Sequence, residues 1–165
     1  MKYLFFITTI VLMLSACNKS ANNEKVLQNQ IDSLQSKLDK TYKPGFGEFM
    51  SSVQVHHNKL WFAGINQNWK LADFEVNEIQ ENLNGIKQYC RDRSETQYLP
   101  MIDPALDNIR KTIQQQNSTA FKEGYINLTN TCNTCHQTTK HEFNMITVPS
   151  LPPYSNQDFK LHHEK

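Results

Sequence analysis

Cys132-Asn133-Thr134-Cys135-His136 is the stretch of this 165-residue chain whose residue types and spacing could do chemistry. On a helix, two thiols separated by two residues lie about one turn apart on one face. A histidine follows at once. Each thiol can add to one vinyl group of a haem as a thioether, and the adjacent imidazole can become the proximal iron ligand; this is the spacing of covalent c-type haem attachment. The expectation is one covalent haem c per chain, with Cys132 and Cys135 as the thioether residues and His136 on the iron. Three rivals use the same residues. A thioredoxin-like redox pair needs a neighbouring βαβ pattern, and none is visible. A structural zinc site could draw on Cys132, Cys135, His136 and His141, but a second paired-ligand knuckle is missing. A disulfide between Cys132 and Cys135 is the third.

The other cysteines, Cys17 and Cys90, need separate explanations. Lys2 gives a positive start, and residues 3–14 form an apolar run too short to span a membrane as a helix. Leu14-Ser15-Ala16-Cys17 then resembles the bacterial lipobox, in which cleavage precedes a cysteine that carries a diacylglycerol. The resemblance implies a signal peptide over 1–16 and a mature chain tethered to a membrane at Cys17, with each buried lipid methylene worth about 0.8 kcal/mol. An ordinary signal peptide is the alternative. Export to the periplasm also places the chain where covalent haem attachment occurs. Cys90 ends an apolar stripe and reads as a small buried hydrophobe.

These residues need elements to position them. Residues 17–45 read as an anchor and helical stalk, in which Leu27, Ile31, Leu34 and Leu38 follow coiled-coil spacing over about two heptads. A self-associating stalk and a single amphipathic helix both fit. Pro44-Gly45 breaks it. A first domain helix is expected from Phe46 to Gly64, with Phe46, Phe49/Met50, Val53, His57 and Leu60/Trp61 inward and His56 facing solvent. A second starts at an Asn68 cap, its stripe Ala72, Val76, Ile79, Leu83, Ile86 and Cys90. Tyr98-Leu99-Pro100 reads as a linker. Asp103 followed by Pro104 reads as the cap and first position of a third helix, with Leu106, Ile109 and Ile113 inward. Asn117 and Ser118 open a fourth, whose stripe Phe121, Tyr125, Leu128, Cys132 and Cys135 runs into the haem motif. No long period-two alternation occurs. The fold class expected is all-α, an antiparallel four-helix bundle over 46–141. Residues 142–165 form a proline-containing tail, with Phe143 to Leu151 in part packing back and Ser155 to Lys165, including His162 and His163, loose.

Four amphipathic helices with a haem motif near the end of the last resemble the class II c-type cytochromes, the cytochrome c′ family and its methionine-ligated relatives. The resemblance covers roughly residues 46–140. That family commonly carries an aromatic residue and an arginine after the histidine; here Thr139 and Lys140 stand there, so Lys140 is a candidate partner for a haem propionate. It often has an arginine one turn before the ligand position of the first helix, where this chain has Phe46.

The residue opposite His136 decides the chemistry. Met50 and His57 share the inward face of the first helix, about 10.5 Å apart along its axis, so only one can reach the iron. In an up-down-up-down bundle His136 faces the beginning of that helix, which favours Met50 as the distal ligand over His57. A vacant site is the third possibility. With Met50 bound, the reading is a one-haem electron carrier serving redox partner proteins of a respiratory chain. With the site open, it is a five-coordinate protein that binds or senses NO or CO. No paired catalytic carboxylates, phosphate loop or nucleophile constellation stands out, so no enzyme activity is expected. The formal charge of +1 gives no reason to expect nucleic acid. The stalk or the bundle could support a homo-oligomer.

Overall fold

The computed structural model describes residues 23–38 and 40–162. The expected signal peptide, the lipidation site Cys17 and the histidine at 163 lie outside them. The chain divides into two units between Lys43 and Pro44. In the first, residues 23–38 are helical (α1), and Leu27, Ile31, Leu34 and Leu38 stand 54–64% exposed. Among the described residues no helix is long and apolar enough to cross a membrane.

The second unit holds α2 (Phe46–Ile65), α3 (Trp69–Tyr89), a 3-10 segment η1 (Ser94–Ile102), α4 (Asp103–Gln114) and α5 (Ser118–Thr138). No strand occurs among the described residues, and the fold is all-α. The corners follow from local chemistry. Gln67 and Gln116 sit at positive φ, 57° and 52°, and the next amides bond back five residues, Asn68 to Ala63 and Asn117 to Thr112. That is the Schellman closure of a helix C-terminus. Each asparagine then caps the next helix, accepting from the amides of Leu71 and Ala120 at 3.2 and 3.0 Å.

α2 packs along α3 and α4 along α5, α2 also meets α5, and η1 touches α3, α4 and α5. All six residues of the expected α3 stripe are buried, from Ala72 to Cys90, together with Leu106, Ile109 and Ile113 of α4. α2 and α5 run antiparallel. A methyl group on Gly64 near the end of α2 would overlap the ring of Phe121, one turn into α5, whereas Met50 near the start of α2 shares a cavity with Cys135 and His136 near the end of α5.

Three expectations about local structure need correction. The linker at Tyr98-Leu99-Pro100 belongs to η1, which buries Leu99 and Ile102. Its period of three, rather than 3.6, hides those residues from a helical stripe. Asp103 makes no cap bond, because η1 runs directly into α4; its carboxylate lies 3.6 Å from Lys87 Nζ instead. Residues 155–162 are not all loose, since Phe159 is buried against Phe62 and Asn68 Nδ2 donates to the carbonyls of Phe159 and Lys160.

Candidate functional site

Cys132 and Cys135 sit in the last third of α5 and face an apolar cavity. Ile79 and Leu83 of α3, Ile102 of η1, Val53 of α2 and Leu128 of α5 form its walls; Met50, His57 and His136 reach it, and Asn144 and Ile146 cover it from the tail. Its enclosed space is about 50 Å³, and it opens to solvent. Beside it, and sharing Met50, Gln54, Cys135, His136 and Asn144, lies a second, more polar cavity whose wall includes Ser51, Arg93, Glu95 and His141.

No disulfide joins the two cysteines. Burial pushes the Cys132 thiol up to about 12 and raises that of Cys135 as well. A redox-active CxxC pair needs the opposite, a thiol made acidic by its surroundings. Among the described residues no three His, Cys, Asp or Glu side chains converge as a metal cage would require, so His141 does not complete a zinc site with the motif.

His136 is oriented by the tail. α5 closes with Lys140 at φ 62° and the His141 amide bonded to the His136 carbonyl at 2.7 Å. This is the same closure as at the other two corners, but no helix follows, and the chain turns back over the end of α5. There His136 Nδ1 lies 2.6 Å from the carbonyl oxygen of Asn144. A carbonyl only accepts, so Nδ1 carries the proton, and the lone pair of the neutral ring is on Nε2. A histidine held in this way is the usual arrangement of a metal ligand. The strap is fastened by Asn133 in the first free slot of the motif. Its Nδ2 donates to the Ile146 carbonyl and its Oδ1 accepts the Ile146 amide, both at 2.8 Å.

His57 has other duties. It is 4% exposed, with Nε2 3.0 Å from Thr129 Oγ1 and Nδ1 2.9 Å from the Tyr125 hydroxyl. Both hydroxyls also reach acceptor-only carbonyls, Tyr125 that of His57 at 2.8 Å and Thr129 that of Tyr125 at 2.9 Å. All four bonds are made at once only by a doubly protonated ring. Burial, however, lowers the His57 pKa to about 4, so at neutral pH one hydroxyl turns its proton to the ring and gives up a carbonyl. Either way, both ring nitrogens are engaged. Thr129 is level with His57, and His136 follows Thr129 by seven residues, about 10.5 Å down α5. The same interval up α2 from His57 reaches Met50, which is therefore level with His136.

The remaining candidates fall elsewhere. Lys140 is exposed at the αL corner and lines neither cavity. Arg93 does, from the start of η1. Its guanidinium sits 5.7 Å from the centre of the Phe46 ring and donates to Glu95 at 2.7 Å, a bond that lowers the Glu95 carboxyl to about 2. Arg93 thus stands beside Phe46, which lies one turn before Met50 on α2. His56 does not face solvent as expected. Its Nδ1 is 2.7 Å from Oε2 of Glu75, whose side chain is 1% exposed, because a carboxylate buried in the α2–α3 seam requires a polar partner. Trp61 packs on Tyr125 and Trp69 on Phe121, with ring centres 4.9 and 5.9 Å apart. The sequence pattern does not distinguish Asn133, Asn144 or Arg93; the adjacency of Asn133 to Cys132 is the one local hint. The chain matches no protein-family model, no curated protein and no solved structure.

Proposed function

We propose that this chain is a one-haem c-type cytochrome, tethered to a membrane through Cys17 and carrying electrons in the periplasm, with α2–α5 as an antiparallel four-helix bundle of the class II kind. The observation that carries the reading is the His136 Nδ1–H bond to the Asn144 carbonyl at 2.6 Å. It leaves Nε2 as the free donor, beside a cavity that both motif cysteines line.

The residues present fit a haem. The inner cavity supplies apolar walls for a macrocycle, and the adjoining one supplies Arg93, His141 and Ser51 for propionates. When bound, the group supplies one-electron chemistry at iron. Cys132 and Cys135 would hold it through their sulfurs, and His136 and Met50 are the residues that would bind its iron. His57 is the poorer distal candidate because Tyr125 and Thr129 hold both of its nitrogens. The walls from α3 and η1 exclude water from the inner side, and the strap covers the outer.

Absorption spectra of the matured ferric and ferrous protein test this. The expected result is a six-coordinate, low-spin haem with the methionine–iron charge-transfer band, and no carbon monoxide binding on the time scale of mixing. Rapid stoichiometric binding by the wild type would replace the electron carrier with a gas-binding protein. A ferric spectrum unchanged in Met50→Ala but altered in His57→Ala would replace the distal ligand.

A further inference from the structure

The geometry points to Asn133 as a positioning residue that sets the donor strength of His136 through the tail, an inference that rests on the haem reading above. The segment after α5 has no hydrogen-bond ladder of its own. Between His141 and Ile146 its backbone is tied by His141 N–H to the His136 carbonyl and Asn144 N–H to the His141 carbonyl, at 2.7 and 2.9 Å, by the Asn144 carbonyl to His136 Nδ1, and by the pair of bonds to the Asn133 side chain. Asn133 uses one donor and one acceptor of its amide on one residue, Ile146, two positions beyond the carbonyl that meets His136. It stands three residues before His136, one turn along the same side of α5. A single side chain in a free slot of the motif therefore fastens the strap that carries the orienting carbonyl.

The consequence is electronic. An imidazole whose N–H is held by a carbonyl is a stronger donor at its other nitrogen, and such outer partners commonly change affinity or activity by 10- to 100-fold. A stronger donor favours the more highly charged, oxidised iron, so loosening the clamp raises the reduction potential. Thr134, the other free slot, is the natural control. It is exposed, and its hydroxyl donates only to the Asn130 carbonyl within α5.

The experiment compares wild-type, Asn133→Ala, Asn133→Gln and Thr134→Ala holoprotein. Haem content comes first, then the reduction potential and the hydrogen-exchange rate of the Ile146 amide. Asn133→Ala is expected to exchange at Ile146 at least tenfold faster and to shift the reduction equilibrium about tenfold toward the ferrous form, roughly 59 mV for one electron. Asn133→Gln keeps the amide at a longer reach and should shift both readouts in the same direction by less. If the alanine variant does not mature, Asn133→Gln against Thr134→Ala decides. Faster exchange at Ile146 with an unmoved potential would overturn the positioning role and leave the haem reading standing. A wild-type protein without haem would overturn both.

Discussion

The two ends of the α2–α5 seam are built from the same helices and differ in what fills them. At one end Gly64 admits the Phe121 ring, and Trp61, Trp69, Phe121 and Tyr125 pack edge and face with ring centres 4.9–6.2 Å apart. At the other, Met50, Val53, Cys132 and Cys135 stand around empty space. The cavity is therefore not general looseness, because the same pair of helices packs tightly two to three turns away. The filled end packs the two helices against each other, and the hollow end leaves a cavity between them.

The largest expected contrast is truncation. Phe121→Ala should cost about 3–5 kcal/mol in urea unfolding, since a fully buried ring leaves a void that its rigid neighbours cannot fill. Met50→Ala should cost less than about 2 kcal/mol in protein lacking haem, because that side chain already borders open volume. Equal losses would erase the distinction between the ends.

Acid separates them through His57. Its pKa in the folded chain is about 4 against 6.5 for the unperturbed ring. Above pH 6.5 the ring is neutral in both states and contributes nothing. Below it the unfolded chain gains a proton that the folded chain refuses, so stability falls until about pH 4. At about 1.4 kcal/mol per unit the loss approaches 3 kcal/mol. Unfolding midpoints measured from pH 7 to 4 should fall more steeply for wild type than for His57→Gln; parallel slopes would contradict the neutral buried ring.

Small-to-large changes should rank the two ends in the same order as truncation. Gly64→Ala is expected to destabilise by about 1–3 kcal/mol, as overpacking of a filled core does. Val53→Leu, growing into the cavity, should stay within about 1 kcal/mol in thermal unfolding of the haem-free chain. A large loss for Val53→Leu would mean that the hollow end is as tightly specified as the filled one.

Much of this could be read along the chain. The α3 stripe was legible because six apolar residues at helical spacing face one core, and the Asn68 and Asn117 caps were legible because capping is local chemistry. The α1 stripe shows the limit of the same signal. Leu27 to Leu38 repeat as cleanly and remain exposed, since a period says which residues share a face and not what covers it. Within the site, the motif named Cys132, Cys135 and His136, and antiparallel order placed Met50. What could not be read is the tail. Its fastenings are side-chain to backbone bonds across 13, 93 and 91 residues, from Asn133, Asn58 and Asn68, and extended chain held in this way leaves no periodic trace. Arg93 was hidden for a similar reason, because it stands just before η1, outside any helical stripe, yet lines the second cavity.

The covalent link at the hollow end is the claim on which the rest depends. Extraction of the matured, purified protein with acidified acetone tests it most directly. The red chromophore should stay with the polypeptide, and should leave with the solvent when Cys132 and Cys135 are both replaced by alanine. Colour that leaves the wild-type protein, or a wild-type protein that never had any, would contradict it.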